Sequence, residues 1–308
     1  GELDWHRDYE SNHDEGYTAD LIADAAVAFI NQHAKGGSPF LCYVPFNAPH
    51  SPLQAKGGDL SEYEHLANAE PQFGTGTKDP AFFGLRGRGK SKRQTLAAMI
   101  SSMDQGIGRI LDTLETHGID DNTLVWFFSD NGGVAPGDNR PLRGAKGTVF
   151  EGGIRVAAAV RWPKQIPAGR RIDVPLAYID VLPTLMRIAE IDSHGGKALD
   201  GADALDVLTG DRKTLPRDLF SYIGQSGAAD EKIALIEPAW KLVVNGANIT
   251  DDSIAQTERE ILLYRIDSDP YETVNVADQQ PRVVQRLSLI HISEPTRQVL
   301  VSRMPSSA

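Results

Sequence analysis

The strongest constraint on the fold of this chain is the alternation of amphipathic helical stretches with solid apolar runs. Apolar residues recur at helical spacing over Thr18–His33, with Thr18 as the expected N-cap, and again over Ser91–Thr116. Near-continuous apolar runs over Phe40–Phe46 and Thr123–Phe128, and a further run over Ile154–Trp162, are typical of buried strands. This alternation predicts the α/β class, with a large, mainly parallel sheet sandwiched by helices.

The pattern changes after about residue 211. Shorter apolar segments at 232–236, 240–244 and 261–266 predict a small, mostly antiparallel α+β subdomain at the C-terminal end. We therefore expect a main domain over residues 1–210 and a subdomain over residues 211–287.

The tail at residues 288–308 is a separate case. The stretch Leu289–Arg297 resembles the translation of sequencing-adapter DNA, so we expect this tail to be non-native. The alternative is a genuine but irregular extension.

Composition excludes several classes of function. The net charge of −11 argues against nucleic-acid and anionic-membrane partners, which need a basic face. The sequence contains no run of eighteen or more apolar residues, so it predicts no membrane span. The single cysteine, Cys42, excludes an internal disulfide and a thiolate metal cluster.

Polar loops follow two of the predicted strands. The first loop carries His50, and the second carries Asp130 and Asn131. Ligands of open α/β sheets bind beyond the carboxyl ends of the strands, and these carboxylate and amide oxygens suit Ca²⁺ or Mg²⁺ rather than zinc. The residues also permit a simple reading, in which Asp130 and Asn131 form an ordinary turn and His50 is a surface residue.

The stretch Asn139–Arg155 is rich in both cations and glycines. Glycines let a backbone approach a ligand closely, and Lys146 would act there as a point charge for an oxyanion. A flexible, solvated loop with surface charges is the equal alternative.

Four motifs in this region resemble consecutive sulfatase signatures and occur in the order of that family. They are Phe46-Asn-Ala-Pro-His50-Ser-Pro52, Ser129-Asp-Asn-Gly-Gly133, Pro141-Leu-Arg-Gly-Ala-Lys146-Gly and Phe150-Glu-Gly-Gly-Ile-Arg155. The resemblance covers roughly residues 1–287 and is closest to the arylsulfatase B-like branch. It implies an alkaline phosphatase-like fold and a sulfuric ester hydrolase that acts on aryl or carbohydrate sulfates.

The resemblance also implies a role for each matching residue. Asp130 and Asn131 would be two ligands of one Ca²⁺ ion, and Lys146 would contact the sulfate oxygens. His50 would bind the ester near its bridging oxygen and assist departure of the alcohol, which suits a side chain that titrates near neutrality. The implied partner is a sulfated small molecule or carbohydrate. The resemblance also implies a periplasmic or secreted location.

The family's nucleophile is a formylglycine made from a Cys-x-Pro-x-Arg or Ser-x-Pro-x-Arg motif, which precedes the region where this chain begins. Cys42 lacks the motif, and Ser293 matches it only at the wrong end of the chain. We therefore expect an N-terminally truncated fragment that is inactive alone.

Two other functions remain open. One is a catalytically dead sulfatase-like protein that binds sulfated ligands. The other is a related phosphoesterase or phosphonate hydrolase, although the sequence shows no surplus of Asp and His for a two-zinc site.

Overall fold

The computed structural model describes residues 6–68, 88–192, 195–224, 231–246 and 259–293. The chain forms two compact units. The first contains Gly1–Thr123 with Ala135–Gly137, and the second contains Leu124–Val134 with Asp138–Ala308. The domain boundary expected near residue 210 does not coincide with the division into these two units, and it stays a prediction. Part of the suspected tail, residues 294–308, lies outside the described residues.

The described helices are α1 (Thr18–His33), α2 (Gly57–Glu62), α3 (Lys92–Thr116), α4 (Glu151–Ile154), α5 (Val181–Ile188), α6 (Leu205–Thr209) and α7 (Pro281–Ser293). The described strands are β1 (His6–Arg7), β2 (Glu10–Ser11), β3 (Val125–Phe128), β4 (Ala158–Arg161), β5 (Leu219–Ile223), β6 (Lys232–Ile236), β7 (Lys241–Asn245) and β8 (Glu260–Tyr264). Among the described residues no helix is long and apolar enough to cross a membrane.

The two long helices of the first unit lie where the sequence predicts them. Ser91 caps α3, and its Oγ accepts a hydrogen bond of 3.0 Å from the Gln94 amide. The expected cap of α1 is wrong by one residue, because Tyr17 holds the N-cap position and Thr18 is the first helical residue. Glycine at 118 has a φ of +63°, which explains why the chain leaves the helix just beyond α3.

The face that α3 buries combines the apolar Met99 and Leu114 with small and polar side chains, so it is less apolar than the periodicity suggests. Ile100 is 43% exposed, whereas Ala98 and Ser102 are fully buried. A Cβ added at Gly106 would lie 3.0 Å from Ala23 Cβ of α1, so the helices approach each other closely at this glycine. The buried Ser102 hydroxyl donates to Asp59, and this partner removes the penalty for burying a polar group.

The buried strand predicted at Phe40–Phe46 is not formed in the described structure. Its side chains alternate between partly buried and exposed, with Leu41 71% and Tyr43 80% exposed, so the backbone is extended. A strand requires a ladder of hydrogen bonds to a neighbour, and none of the described strands pairs with this segment. Cys42, which lies within this predicted buried strand, is only partly buried, and this burial raises the pKa of its thiol.

The large parallel sheet is likewise not found among the described strands, all of whose pairs are antiparallel. Strands β3 and β4 pair in the register Val125↔Arg161 to Phe128↔Ala158. A parallel pair needs a crossover of a dozen or more residues, usually through a helix. Here the chain between β3 and β4 contains only the four-residue α4 and folds back to give an antiparallel pair.

A four-stranded antiparallel sheet in the order β5-β6-β7-β8 confirms the predicted character of the C-terminal segments. Its first strand, β5, was not expected from the sequence. One face packs Leu235, Leu242 and Leu263 with Leu287 of α7. The opposite face packs Val243 and its neighbours with Val149 and Phe150, which lie between β3 and β4. The sheet therefore supports the loop that carries the predicted site residues.

Candidate functional site

Asp130 and Asn131 lie immediately after β3, at the end of the strand, as the sequence predicts. The Asp130 carboxylate accepts a hydrogen bond of 2.9 Å from the Asn131 amide and a second one from the Asn131 side-chain nitrogen. The Asp130 side chain is exposed, and that of Asn131 is partly exposed. This local bonding turns the two side chains toward each other at the surface of the second unit.

The turn that carries these side chains is held by a close backbone contact. The Gly132 amide donates to the Gly153 carbonyl at 2.9 Å. A Cβ added at Gly132 would overlap the Gly152 carbonyl group. Only glycine fits at this position, which gives the Ser129-Asp-Asn-Gly motif a physical reason.

Lys146 belongs to residues 138–155, here called the cation loop. Its backbone amide donates to the Gly133 carbonyl at 3.3 Å, which ties the loop to the turn after Asn131. Asn139 strengthens this connection, because its side chain bonds the Gly133 amide at 3.0 Å and the Gly133 carbonyl at 2.7 Å. Hydrogen bonds thus tie the loop that carries Lys146 to Gly133, two residues after Asn131.

Lys146 is partly exposed. Within the part of the chain that the structure describes, no carboxylate forms an ion pair with it. The neighbouring Arg143 differs, because its guanidinium donates to the Tyr264 hydroxyl at 2.6 Å and lies 4.2 Å from the centre of the Phe150 ring. Arg143 therefore anchors the loop, and Lys146 is the cation of this loop left available for an anion.

A buried ion cluster of Glu151, Lys241 and Glu272 lies between the cation loop and the C-terminal sheet. The Lys241 ammonium is 2.8 Å from one oxygen of each carboxylate. Glu272 also accepts a hydrogen bond of 2.7 Å from the Glu151 amide. Burial raises the pKa of the Glu272 carboxyl, and the Lys241 ammonium opposes this shift.

Sequence reasoning missed this cluster. The available signal was a single cation, Lys241, at the start of the apolar strand Lys241–Asn245. That signal names no partner, because Glu151 and Glu272 lie far away along the chain.

His50 belongs to the first unit, whereas Asp130, Asn131 and Lys146 belong to the second. The imidazole is exposed, and its Nδ1 lies 2.9 Å from the Ser51 carbonyl oxygen. A carbonyl only accepts, so Nδ1 carries a hydrogen in this contact. The role of His50 beside the other three residues stays a prediction.

The oxygen atoms of Asp130 and Asn131 supply part of a site for a hard divalent cation. Asp130 and Asn131 supply the oxygen ligands that Ca²⁺ prefers. The described residues contain no group of three or more His, Cys, Asp or Glu side chains that would hold a metal. Two residues do not fill the six to eight positions of a calcium ion, so further oxygens are needed from groups other than these.

Comparison with known proteins decides the family. The family model described as Sulfatase matches residues 2–191, well over half of the chain. The chain belongs to the sulfatase family.

Curated sulfatases agree with this assignment. The chain is 31% identical over 220 residues to the steryl-sulfatase of Mus musculus, a match that covers 68% of the chain and 30% of that protein. It is 28% identical over 302 residues to arylsulfatase J of Mus musculus, covering 87% of the chain and 47% of that protein. This sulfatase-family chain thus spans about half or less of the length of these relatives.

Solved structures give the same result for the fold. The crystal structure of Ps i-CgsB matches with a TM-score of 0.74 and 25% identity, over 91% of this chain and 55% of that one. The same protein has been solved in complex with k-i-k-neocarrahexaose. The chain therefore has a sulfatase-like fold, although the described strands form only small antiparallel sheets.

Proposed function

We propose that this sulfatase-family protein hydrolyses sulfate monoesters. The observation that carries the proposal is the cation loop, whose Lys146 ammonium has no carboxylate partner among the described residues and whose backbone is bonded to the Asp130–Asn131 turn. A cation whose backbone is bonded to a turn with two hard-oxygen ligands suits a substrate with a compact, tetrahedral anionic group.

Asp130 and Asn131 would hold one Ca²⁺ ion through the carboxylate and the amide oxygen. When bound, the ion would supply Lewis-acid polarisation of a sulfate oxygen. Asn131 would offer its amide oxygen, while its nitrogen donates to Asp130.

Lys146 would neutralise negative charge on the oxygens of the transferred group. A fixed ammonium acts most strongly where charge develops in the transition state, because no reorganisation is needed at that moment. The main-chain bonds of Lys146 and Gly152 hold the loop in place for this task.

His50 would donate a proton to the departing alcohol. Its Nδ1 hydrogen is engaged by the Ser51 carbonyl, so Nε2 carries a proton only in the imidazolium form. General acid catalysis by His50 therefore requires the protonated ring. By family resemblance, a formylglycine would supply the attack on sulfur, and the one match to its motif in this chain, at Ser293, lies at the wrong end.

The proposed substrate class is a sulfated carbohydrate or an aryl sulfate. Relatives named steryl-sulfatase and arylsulfatase J, and a structural relative solved with k-i-k-neocarrahexaose, support this range. We further propose a periplasmic or secreted location, in keeping with such substrates.

The test uses the longest natural gene product that contains these residues. Turnover of matched sulfate and phosphate monoesters of one phenol is measured with and without a calcium chelator. We expect faster release from the sulfate ester, loss of turnover with the chelator, and weaker calcium binding in Asp130→Ala. Faster release from the phosphate ester would favour the phosphoesterase alternative, and binding without turnover would favour the catalytically dead one.

A further inference from the structure

The buried ion cluster has no role in the chemistry proposed above. Its Lys241 is fully buried, and so is the side chain of Glu272, whereas Glu151 is 6% exposed. Burying three charged groups is costly and adds little to stability even when the groups are paired. Such a cluster therefore needs a reason other than stability alone.

The cluster joins two parts of the second unit that are far apart in the sequence. Lys241 begins β7 on the sheet face that also packs Val149. Glu151 is the first residue of α4 and is part of the cation loop. Glu272 bonds both of them, through an ion pair to Lys241 and through the hydrogen bond from the Glu151 amide.

The contacts continue from Glu151 to the predicted site residues. The Gly152 amide donates to the Arg143 carbonyl at 2.6 Å, which closes the cation loop around Lys146. The Gly153 carbonyl accepts from the Gly132 amide, next to Asn131. The Glu272 carbonyl, in turn, accepts from the Arg143 guanidinium at 3.3 Å.

The backbone at Glu272 supports a fixed position for this residue. Its φ is +56°, a strained conformation that non-glycine residues keep only where the surroundings hold them there. Here the two bonds of its carboxylate and the bond to its carbonyl supply that restraint.

We propose that Glu151, Lys241 and Glu272 are positioning residues for Lys146. The buried ion cluster fixes the cation loop to the C-terminal sheet, so that the Lys146 ammonium and the Asp130–Asn131 turn keep one geometry. The catalytic consequence rests on the proposed function, whereas the fixation of the loop does not.

Glu272→Gln is the informative variant. In this variant Lys241 keeps its ion pair with Glu151, so no charge of the cluster is left unpaired. Glutamine also has the same shape as the glutamate that it replaces. Glu237→Gln is the matched control, because it breaks the Glu237–Arg286 ion pair of the same sheet region without touching the cation loop.

The first measurement is hydrogen exchange of peptides covering residues 139–150 and of reference peptides covering β5 and β6. Losing a charge-assisted hydrogen bond predicts exchange faster by about tenfold or more at 139–150 in Glu272→Gln, with the reference peptides unchanged. Glu237→Gln should change neither region. Unchanged exchange at 139–150, or equal acceleration in both regions, would overturn the proposal.

The second measurement is a double-mutant cycle on sulfate-ester turnover in the longest natural gene product. If Glu272 acts through Lys146, Glu272→Gln lowers kcat/KM in the wild-type background and has no further effect in Lys146→Met. Independent, additive losses would contradict a positioning role. If the wild type hydrolyses no sulfate ester, the proposed function fails, while the exchange measurement still decides whether the loop is held by the cluster.

Discussion

Two lysines of the second unit show how the same side chain takes opposite tasks. Lys241 is fully buried and lies between the Glu151 and Glu272 carboxylates. Lys146 is partly exposed and has no carboxylate partner within the described ranges. The fold neutralises the first charge and leaves the second available to an anion. Both belong to one connected structure, because the loop that carries Lys146 is bonded to the cluster around Lys241 through Glu151.

Removing the buried charge should have the largest effect. Lys241→Met leaves Glu272 buried without a counter-ion and leaves Glu151 with only the Arg155 guanidinium, 3.4 Å away. This should lower the free energy of unfolding by about 3–5 kcal/mol. Chemical denaturation of wild type and variant measures the difference. A loss as small as that of Glu237→Gln, whose carboxylate is 15% exposed, would show that the cluster does not need its lysine.

Removing the available charge should affect turnover and leave stability unchanged. Lys146→Met should lower kcat/KM for a sulfate ester by about 10²–10³-fold, the usual effect of losing one fixed group that stabilises transition-state charge. Its free energy of unfolding should stay within about 0.5 kcal/mol of the wild type, as for other surface changes. A variant that loses stability but keeps turnover would reverse the roles assigned to the two lysines.

The link between the two regions can be broken without changing any charge. Gly132→Ala places a Cβ against the Gly152 carbonyl, and overpacking of this kind should cost about 1–3 kcal/mol. Calcium binding should weaken, because the Asp130–Asn131 turn must shift. Gly108→Ala is the matched control, since an added Cβ there meets nothing within 4 Å. Equal effects of the two variants on calcium binding would contradict a specific contact at Gly132.

The smallest expected effect concerns pH. Burial raises the pKa of the Glu272 carboxyl, although the Lys241 ammonium opposes the shift. The stability that Glu272 contributes is therefore fully present below the ordinary pKa of a glutamate. It is lost as pH rises through the raised pKa. Glu272→Gln does not titrate. The free energy of unfolding of Glu272→Gln, measured relative to wild type in paired denaturation curves, should therefore increase with pH across the acid range. A decrease with pH would show that the Lys241 ammonium lowers the pKa of Glu272 by more than burial raises it.

The sequence by itself determined the family, the long helices and the order of the motifs. Helical spacing placed α1 and α3 almost to the residue, since it depends on local periodicity and on caps such as Ser91. Short apolar segments predicted β6, β7 and β8 in the same way. The motifs named Asp130, Asn131 and Lys146, and in the structure the Lys146 amide bonds the Gly133 carbonyl, two residues beyond Asn131.

The pairing of strands depended on the tertiary structure. An apolar run such as Phe40–Phe46 indicates an extended backbone, but a strand also needs a hydrogen-bonded neighbour that the run does not specify. For the same reason the direction of pairing between β3 and β4 was not readable from their composition.

The buried ion cluster was also decided only by the tertiary structure. Its three residues lie at positions 151, 241 and 272, and no local pattern connects them. Whether a lysine is neutralised or available depends on which distant carboxylates the fold brings within about 3 Å, the length of a charge-assisted hydrogen bond. Sequence spacing shows which residues share a motif. Whether a charged side chain is neutralised or can bind an anion depends on its burial and on its ion pairs in the folded structure.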